Sequence, residues 1–214
     1  SRLLWSGVGP LILHRSGRLH LTGVELVRDG GYDGLVHSVA RLVLDDVALV
    51  GARPWHTLPE PRPAFEAAGA RCDAAVLVAG GGHLSASRCG WRANAAPVVH
   101  VQGRARGTVT GGRFEGGPQP GFRVSERARL SLQRVRLTGL EGPVIGHGPG
   151  TRLRLGRCTG SAPGGTVVQA HGEQAVLKNC TLREAHTGLR VTLGSLRMEG
   201  CAVRDHRGTG VEVA

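Results

Sequence analysis

Residues 129–158, RLSLQRVRLTGLEGPVIGHGPGTRLRLGRC, hold one complete copy of a repeated pattern and the start of the next. The pattern is L-x-L, two residues, V/C-x-L, a turn of variable length and an apolar strand. Leu130 and Leu132 form one L-x-L, and Leu153 and Leu155 form the next, 23 residues later. Alternation within such short runs means that one side of a strand faces a core. Because glycine and polar residues break the runs so often, helices of normal length are excluded.

The same pattern recurs about every 20–24 residues along the chain, except that an insertion lengthens the interval after Leu42. Eight copies begin at Leu19, Leu42, Leu84, Thr108, Leu130, Leu153, Leu177 and Leu196. No single copy could bury its apolar side alone, whereas stacked copies bury a continuous column. The sequence therefore predicts an all-β fold, a right-handed parallel β-helix solenoid of about eight coils with three short strands per coil. Residues 1–214 are predicted to form one domain.

The composition suits a narrow solenoid with many tight turns. Glycine occurs 35 times, and aromatic residues make up only 3% of the chain. Large rings dominate the cores of ordinary sandwiches and α/β domains, so their scarcity argues against both. Hydrophobic residues at 40% and charged residues at 20% are nevertheless typical of a folded chain.

The charge is strongly positive and is carried almost entirely by arginine. Lys and Arg together number 27 against 16 Asp and Glu, a net charge of +11, and Lys178 is the only lysine. Such a surface attracts polyanions, which include nucleic acid, anionic lipid and acidic polysaccharide. No stretch is long and apolar enough for a transmembrane helix, and no signal peptide is recognisable. The sequence does not indicate a cellular compartment.

The repeat resembles that of the pectate-lyase-like right-handed β-helix superfamily over nearly the whole chain, as a pectin lyase-like repeat protein of the non-enzymatic type. The resemblance lies in the L-x-L, V/C-x-L and V-x-V strands rather than in a catalytic motif. It implies that L-x-L and V/C-x-L are two strands joined by a short bend. It also implies that V-x-V is the strand whose outer side carries the active site in the enzymes of the superfamily.

Four cysteines occupy one position of the coil, which valine fills in other copies. They are Cys89, Cys158, Cys180 and Cys201, with Val24, Val47 and Val135 as their equivalents. A position shared by Val and Cys is a small apolar core site, and none of the spacings is that of a zinc-binding Cys pair. No metal and no cofactor is predicted. Five polar residues are predicted to occupy the short bend, where they are structural: Asp46, Arg88, Arg134, Arg157 and Asn179.

Residues 51–73 interrupt the second coil as an inserted loop. Four prolines forbid regular strand pairing there, while residues 64–70 could form one or two helical turns. The resemblance implies that Trp55, His56, Phe65 and Glu66 could line a cleft beside the third sheet. The alternative is that the loop folds its rings onto apolar surface. Cys72 lies in this insertion and could be reactive.

The outer side of the third strand is predicted to bind a protein partner or a second copy. Contiguous exposed apolar side chains usually mark an interface or lie beneath another segment. The predicted outward column, which ends at Glu212, consists of Val36, Leu77, Val99, Arg123, Ile145, Val168 and Arg190.

The predicted outward column lacks the groups that catalysis needs. Glycosidases require two carboxylates across the scissile bond, and Glu212 is the one carboxylate in the column. His37 and His100 share a coil position but have no third metal ligand in register. No catalytic residue is therefore predicted. The alternative is a polysaccharide lyase or glycoside hydrolase acting on an acidic glycan, with groups supplied by the insertion.

A column of cations precedes the L-x-L strands and is predicted to bind a polyanion. Stacking like charges about 5 Å apart costs roughly 0.8 kcal/mol per neighbouring pair before screening, yet the sequence keeps them. Guanidinium groups match carboxylate, sulfate and phosphate, and the scarcity of aromatic stacking groups favours acidic glycan over nucleic acid. The alternative is a solvated edge of the coil. The predicted residues are Arg18, Arg41, His83, Arg106, Arg129 and Arg152, with Arg154 beside them.

These observations predict a non-catalytic binding or scaffold module with a basic side for polyanions and an apolar face for a partner. Its last strand, residues 211–213, has no capping helix, although solenoids need caps. We therefore expect the chain to be a fragment of a longer protein, with stacking of open ends on other chains as the alternative.

Overall fold

The computed structural model describes residues 1–6, 9–29, 34–51, 74–92, 97–117, 121–140, 142–172 and 174–214. None of these residues is helical, and they form a parallel β-solenoid. The all-β prediction is confirmed. The solenoid has about seven turns, close to the eight coils predicted.

The described residues form 24 strands. In chain order they are β1 (Arg2–Trp5), β2 (Ile12–His14), β3 (Arg18–Thr22), β4 (Glu25–Arg28), β5 (Val36–Ser38), β6 (Arg41–Asp45), β7 (Ala48–Val50), β8 (Val76–Val78), β9 (His83–Ser87), β10 (Gly90–Arg92), β11 (Val99–Val101), β12 (Arg106–Thr110), β13 (Arg113–Gly117), β14 (Phe122–Ser125), β15 (Arg129–Gln133), β16 (Arg136–Leu140), β17 (Val144–His147), β18 (Arg152–Gly156), β19 (Thr159–His171), β20 (Gln174–Lys178), β21 (Thr181–Thr192), β22 (Ser195–Glu199), β23 (Ala202–His206) and β24 (Val211–Val213).

The strands form three faces, and each coil contributes one strand segment to each face. The first face is an eight-stranded sheet of β3, β6, β9, β12, β15, β18, β20 and β22. The second face runs β1, β4, β7, β10, β13 and β16, and the third runs β2, β5, β8, β11, β14 and β17. The long strands β19 and β21 cross a corner and belong to both the second and the third face. The prediction of three strands per coil is therefore confirmed.

The interior is a column of aliphatic side chains that stack in register from coil to coil. On the first face Leu42 pairs with Leu84, and Leu130 pairs with Leu153, all of them buried. Parallel pairing places equivalent residues about 4.8 Å apart along the axis. Three aromatic rings lie near the middle of the column. Trp91 stacks on Phe114 with ring centroids 4.8 Å apart, and Phe114 contacts Phe122 at 4.5 Å.

The bend between the first and second faces is a single residue in the left-handed conformation. Non-glycine residues hold this position in five coils, with φ between 53° and 55°: Asp46, Arg88, Arg134, Arg157 and Asn179. This conformation turns the chain sharply between two strands and suits glycine and asparagine best. The structural role predicted for the bend residues is consistent with this geometry.

The inserted loop leaves the stacking of the coils intact. β7 and β8 flank the insertion, of which residues 52–73 lie outside the described residues. β7 pairs directly with β10, and β8 pairs directly with β5 and β11. The helical turns predicted for 64–70, and the cleft predicted for Trp55, His56, Phe65 and Glu66, also fall outside the described residues.

The outward column predicted for the third face is wrong at three positions. Val36, Val99 and Val168 are 0% exposed and belong to the core. Each follows a corner residue that is also buried, for example Leu35 before Val36, so the apolar pair spans a corner and a strand. The prediction took the corner residue, such as Leu35, for the inward residue of the strand. This shifts the register by one residue, so that the valine that follows is predicted to face outward. The column that faces out consists of Leu13, His37, Leu77, His100, Arg123, Ile145, Gln169, Arg190 and Glu212.

Candidate anion-binding face

The structure brings the predicted polyanion-binding residues into one column on the outside of the first face. Parallel pairing aligns them residue by residue, and all but half-buried Arg152 are exposed. We call this set the arginine column: Arg18, Arg41, His83, Arg106, Arg129 and Arg152. Because each member is the first residue of its strand, the cations line one edge of the first face. Their spacing is that of parallel strands, about 4.8 Å.

The residues beside the arginine column add little negative charge. The next outward column contains Ser85, Thr108, Ser131 and Arg154 in successive coils. The outward column after that contains two carboxylates, Asp45 and Glu199. Arg154 therefore lies on the same face as the arginine column, as predicted, one alternation further along β18.

Both carboxylates of this face are ion-paired with other cations. Asp45 accepts a hydrogen bond from the Ser87 hydroxyl at 2.6 Å and from Arg88 at 2.7 Å. These contacts, that from Ser87 first, lower the pKa of Asp45. Glu199 lies 2.9 Å from the Lys178 ammonium, which lowers the pKa of Glu199. Neither carboxylate pairs with a member of the arginine column.

A depression interrupts the first face at Gly156. Its walls carry cations, and its volume is about 540 Å³. The lining residues are Gln133, Arg154, Leu155, Gly156, Arg157, Gln174, Val176, Lys178, Asn179 and Arg197. We call this depression the Gly156 notch. Sequence reasoning placed Arg154 on the basic side but treated Arg157 as structural and missed the notch.

The cysteine position lies in the core, as predicted. Cys89, Cys158 and Cys180 are buried and Cys201 is half-buried, and none of the four forms a disulfide. Burial raises the pKa of Cys89 to about 11, and hydrogen bonding with Cys158 together with burial raises the pKa of Cys180. Cys89 and Cys180 are therefore neutral at pH 7 and pack as small apolar groups. Cys72 lies outside the described residues.

Two histidines of the third face point outward and are nevertheless buried. His37 and His100 lie in the outward column with Leu77 between them. Their common coil position was predicted, but their outward direction was not, because the prediction turned Val36 and Val99 outward. They are 7% and 9% exposed, and His100 Nε2 is hydrogen-bonded to the Ser125 hydroxyl at 2.8 Å. Burial, assisted by the charge of Arg123, lowers the pKa of His100 to about 4, and burial also lowers the pKa of His37.

We expect the low pKa of His100 to make folding stability depend on pH between about 6.5 and 4. The unfolded histidine protonates near its ordinary pKa of 6.5, whereas the folded one stays neutral down to about pH 4. Acid therefore favours the unfolded state over that window, at a cost of about 3 kcal/mol. His100→Gln removes this contribution, and Gln169 already occupies the same column. Urea unfolding midpoints from pH 7 to pH 4 should fall less steeply for His100→Gln than for the wild type, and equal slopes would contradict the prediction.

The outward column of the third face does not bring together the groups that the alternative enzymatic function requires. In the outward column of the third face, Glu212 is the single carboxylate, and it pairs with Arg190 at 2.7 Å. Among the residues that the structure describes, no three His, Cys, Asp or Glu side chains come together as a metal site. The wider prediction of a partner on this face, including the exposed Arg123 and half-buried Ile145 and Arg190, stays a prediction.

Comparison of the chain with family models, curated proteins and solved structures finds no match. The strand pairing by itself defines the class of the protein, which is a parallel β-solenoid with a cationic first face. Within the described residues, no helix has the length and hydrophobicity that crossing a membrane requires.

Proposed function

We propose that this β-solenoid is a non-catalytic binding module that holds an acidic polysaccharide along its first face. The observation that carries the proposal is the exposed, in-register arginine column, in which no carboxylate of the described residues pairs with Arg18, Arg41, Arg106 or Arg129. Membership of the pectate-lyase-like superfamily, as a non-enzymatic member, is part of the proposal and is supported by the three-strand coil with its one-residue bend.

The cations of the column repel one another in the free protein. Neighbours about 5 Å apart in water cost roughly 0.8 kcal/mol per pair before screening. A polyanion lying along the column would replace that repulsion by attraction at each of its arginines. It would also release its own condensed counterions, which favours binding at low salt. A repeated cation on a rigid sheet therefore suits a repeated anion better than a single small ligand.

The distribution of aromatic rings favours an acidic glycan over single-stranded nucleic acid. Proteins that bind single strands usually stack bases on exposed aromatic side chains. Trp91, Phe114 and Phe122 are buried in the core. The first face offers guanidinium and hydroxyl groups instead, and these hydrogen-bond to carboxylate and sulfate groups.

The proposal predicts a steep dependence of binding on salt. The protein should be retained on a heparin resin well above physiological salt, because several arginines contact the chain at once. The logarithm of the binding constant should fall linearly with the logarithm of the salt concentration, with a slope of about 3 or more if at least four cations are engaged. Isothermal titrations with heparin at four salt concentrations measure the slope. A slope near zero, or no binding at low salt, would refute the proposal.

A further inference from the structure

The Gly156 notch exists because one side chain is missing from an outward column of the first face. The aligned residues in the other coils all carry a side chain: Thr22, Asp45, Ser87, Thr110, Gln133, Lys178 and Glu199. The Gln133 amide from the preceding coil leans over Gly156, where a Cβ would come within 2.7 Å of the Gln133 Nε2 atom. The floor of the notch at Gly156 is therefore covered by an uncharged amide.

Four cations surround this floor from different directions. Arg154 precedes Gly156 on β18, and Arg157 follows it at the bend. Lys178 lies in register with Gly156 on the next coil, and Arg197 lies in register with Val176, the partner of Arg154. Their side chains all line the same depression. Of the four, Lys178 forms an ion pair with Glu199 at 2.9 Å, and the charge of Arg197 also acts on Glu199.

A second depression on the same side of the solenoid differs from the notch by having a carboxylate in its lining. It is lined by Asp45, Ser87, Arg88, Thr110, Gly111 and Arg134. There the arginine at the bend, Arg88, is neutralised by Asp45 at 2.7 Å. Arg157 occupies the equivalent bend position in the Gly156 notch, where Gln133 of the preceding coil takes the place of Asp45 and Gly156 takes the place of Ser87. The two sites thus share an arginine at the bend, and only in the second depression is that arginine paired with a carboxylate.

We propose that the Gly156 notch binds one tetrahedral oxyanion, and that this selects sulfate-bearing polysaccharides among acidic glycans. The inference rests on the proposed function and names the substrate class of that face. A planar carboxylate presents two oxygens, whereas a tetrahedral oxyanion presents oxygens in several directions, which matches cations on separate coils and a bend. The notch, at about 540 Å³, leaves room for a sugar ring that bears the group.

Inorganic sulfate and phosphate are the probes for the notch itself. We expect saturable binding of either ion by the full chain in calorimetric titration at low salt, and at least a tenfold loss of affinity in two variants. Gly156→Gln fills the notch without changing the charge and copies Gln133 of the preceding coil. Arg157→Asn removes a cation and copies Asn179 at the bend of the next coil.

Arg88→Asn is the matched control, because it makes the same substitution at the same bend position three coils away. It should bind sulfate within about twofold of the wild type. Binding by Gly156→Gln equal to that of the wild type would overturn the proposal. Equal losses in Arg88→Asn and Arg157→Asn would also overturn it, since the ion would then respond only to net charge.

Two polymers of equal charge density separate this proposal from the proposed function. We expect the wild type to bind dextran sulfate at least tenfold more tightly than carboxymethyl dextran of matched substitution, and Gly156→Gln to lose that preference while still binding both. The double variant Arg41→Glu/Arg106→Glu changes residues two or more coils away from the notch. It should bind both polymers more weakly than the wild type and bind inorganic sulfate with unchanged affinity. No wild-type preference, or a preference retained by Gly156→Gln, overturns the notch. Failure to bind either polymer overturns the proposed function.

Discussion

Reversal of three adjacent cations in the arginine column, Arg106→Glu/Arg129→Glu/Arg152→Glu, should abolish retention on heparin resin at physiological salt. The three residues lie in register on β12, β15 and β18, so the change replaces a continuous run of positive charge by negative charge. Each cation near a polyanionic surface contributes about 1 kcal/mol, and each glutamate adds a repulsion of similar size. We therefore expect the binding constant for heparin to fall by about 10³-fold or more.

The control for this reversal changes the same amount of charge on the second face. Arg136→Glu/Arg183→Glu/Arg204→Glu alters three exposed arginines of β16, β21 and β23. This variant should bind heparin within about tenfold of the wild type, because its charges lie around a corner from the arginine column. Circular dichroism and a thermal melt establish that both variants are folded. Equal losses in the two triple variants would show that net charge, and not the arginine column, retains the polymer.

Gly112→Val should destabilise the protein strongly, although valine is the residue that the repeat favours at this position. Gly112 follows the bend, where other coils have Val24, Val47 or Val135. Its φ is 103°, and a Cβ there would lie 2.5 Å from the Cys89 carbonyl oxygen of the preceding coil. A β-branched residue is poorly tolerated at positive φ, and backbone strain and overpacking each cost on the order of 1–3 kcal/mol. We expect a loss of about 3 kcal/mol or more in the free energy of unfolding.

Cys89→Val tests the same position in the coil directly before Gly112. Cys89 is buried in the core position, and its replacement is close to isosteric, so the loss should stay within about 1 kcal/mol. Urea unfolding of both variants measures the difference. An unfolding free energy of Gly112→Val equal to or above that of the wild type would mean that its coil can adopt the conformation of the others.

Much of the fold was predictable because the first-face pattern repeats with little variation. Leu130, Leu132, Leu153 and Leu155 alternate with outward residues, and a spacing of 23 residues places them in register. The arginine column was predictable for the same reason, since its members directly precede the first inward residue of each strand, which is leucine in every case except Gly107. The constant number of residues between equivalent positions is what allows the register of the first face to be predicted.

The third face was harder to predict because its strands follow turns of variable length. The spacing of the repeat then does not fix the residue at which a third-face strand begins. The apolar pair Val98-Val99 therefore fits two registers that differ by one residue. Both valines are buried, one at the corner and one in the strand. A pattern that treats every apolar pair as one inward and one outward residue therefore turns Val99 to the wrong side.

The Gly156 notch could not be derived from the repeat for a different reason. A missing side chain forms a binding site only when side chains of adjacent coils surround the space beside it. In the sequence alone, Gly156 does not stand out among the 35 glycines of the chain. The signal was present as a departure from the column that contains Gln133 and Lys178. Aligning outward residues coil by coil, and not only inward ones, would have exposed it.

The constant 23-residue interval between His83, Arg106, Arg129 and Arg152 means that the length of the charged edge is set by the number of coils that carry such a residue, since Gln174 and Ser195 continue the column without charge. Duplication of one coil would add a single cation without disturbing the packing above or below it, and deletion would subtract one. Avidity for a long anionic polymer can thus evolve in integral steps through unequal recombination within the gene, with no need for new contacts to arise by point mutation.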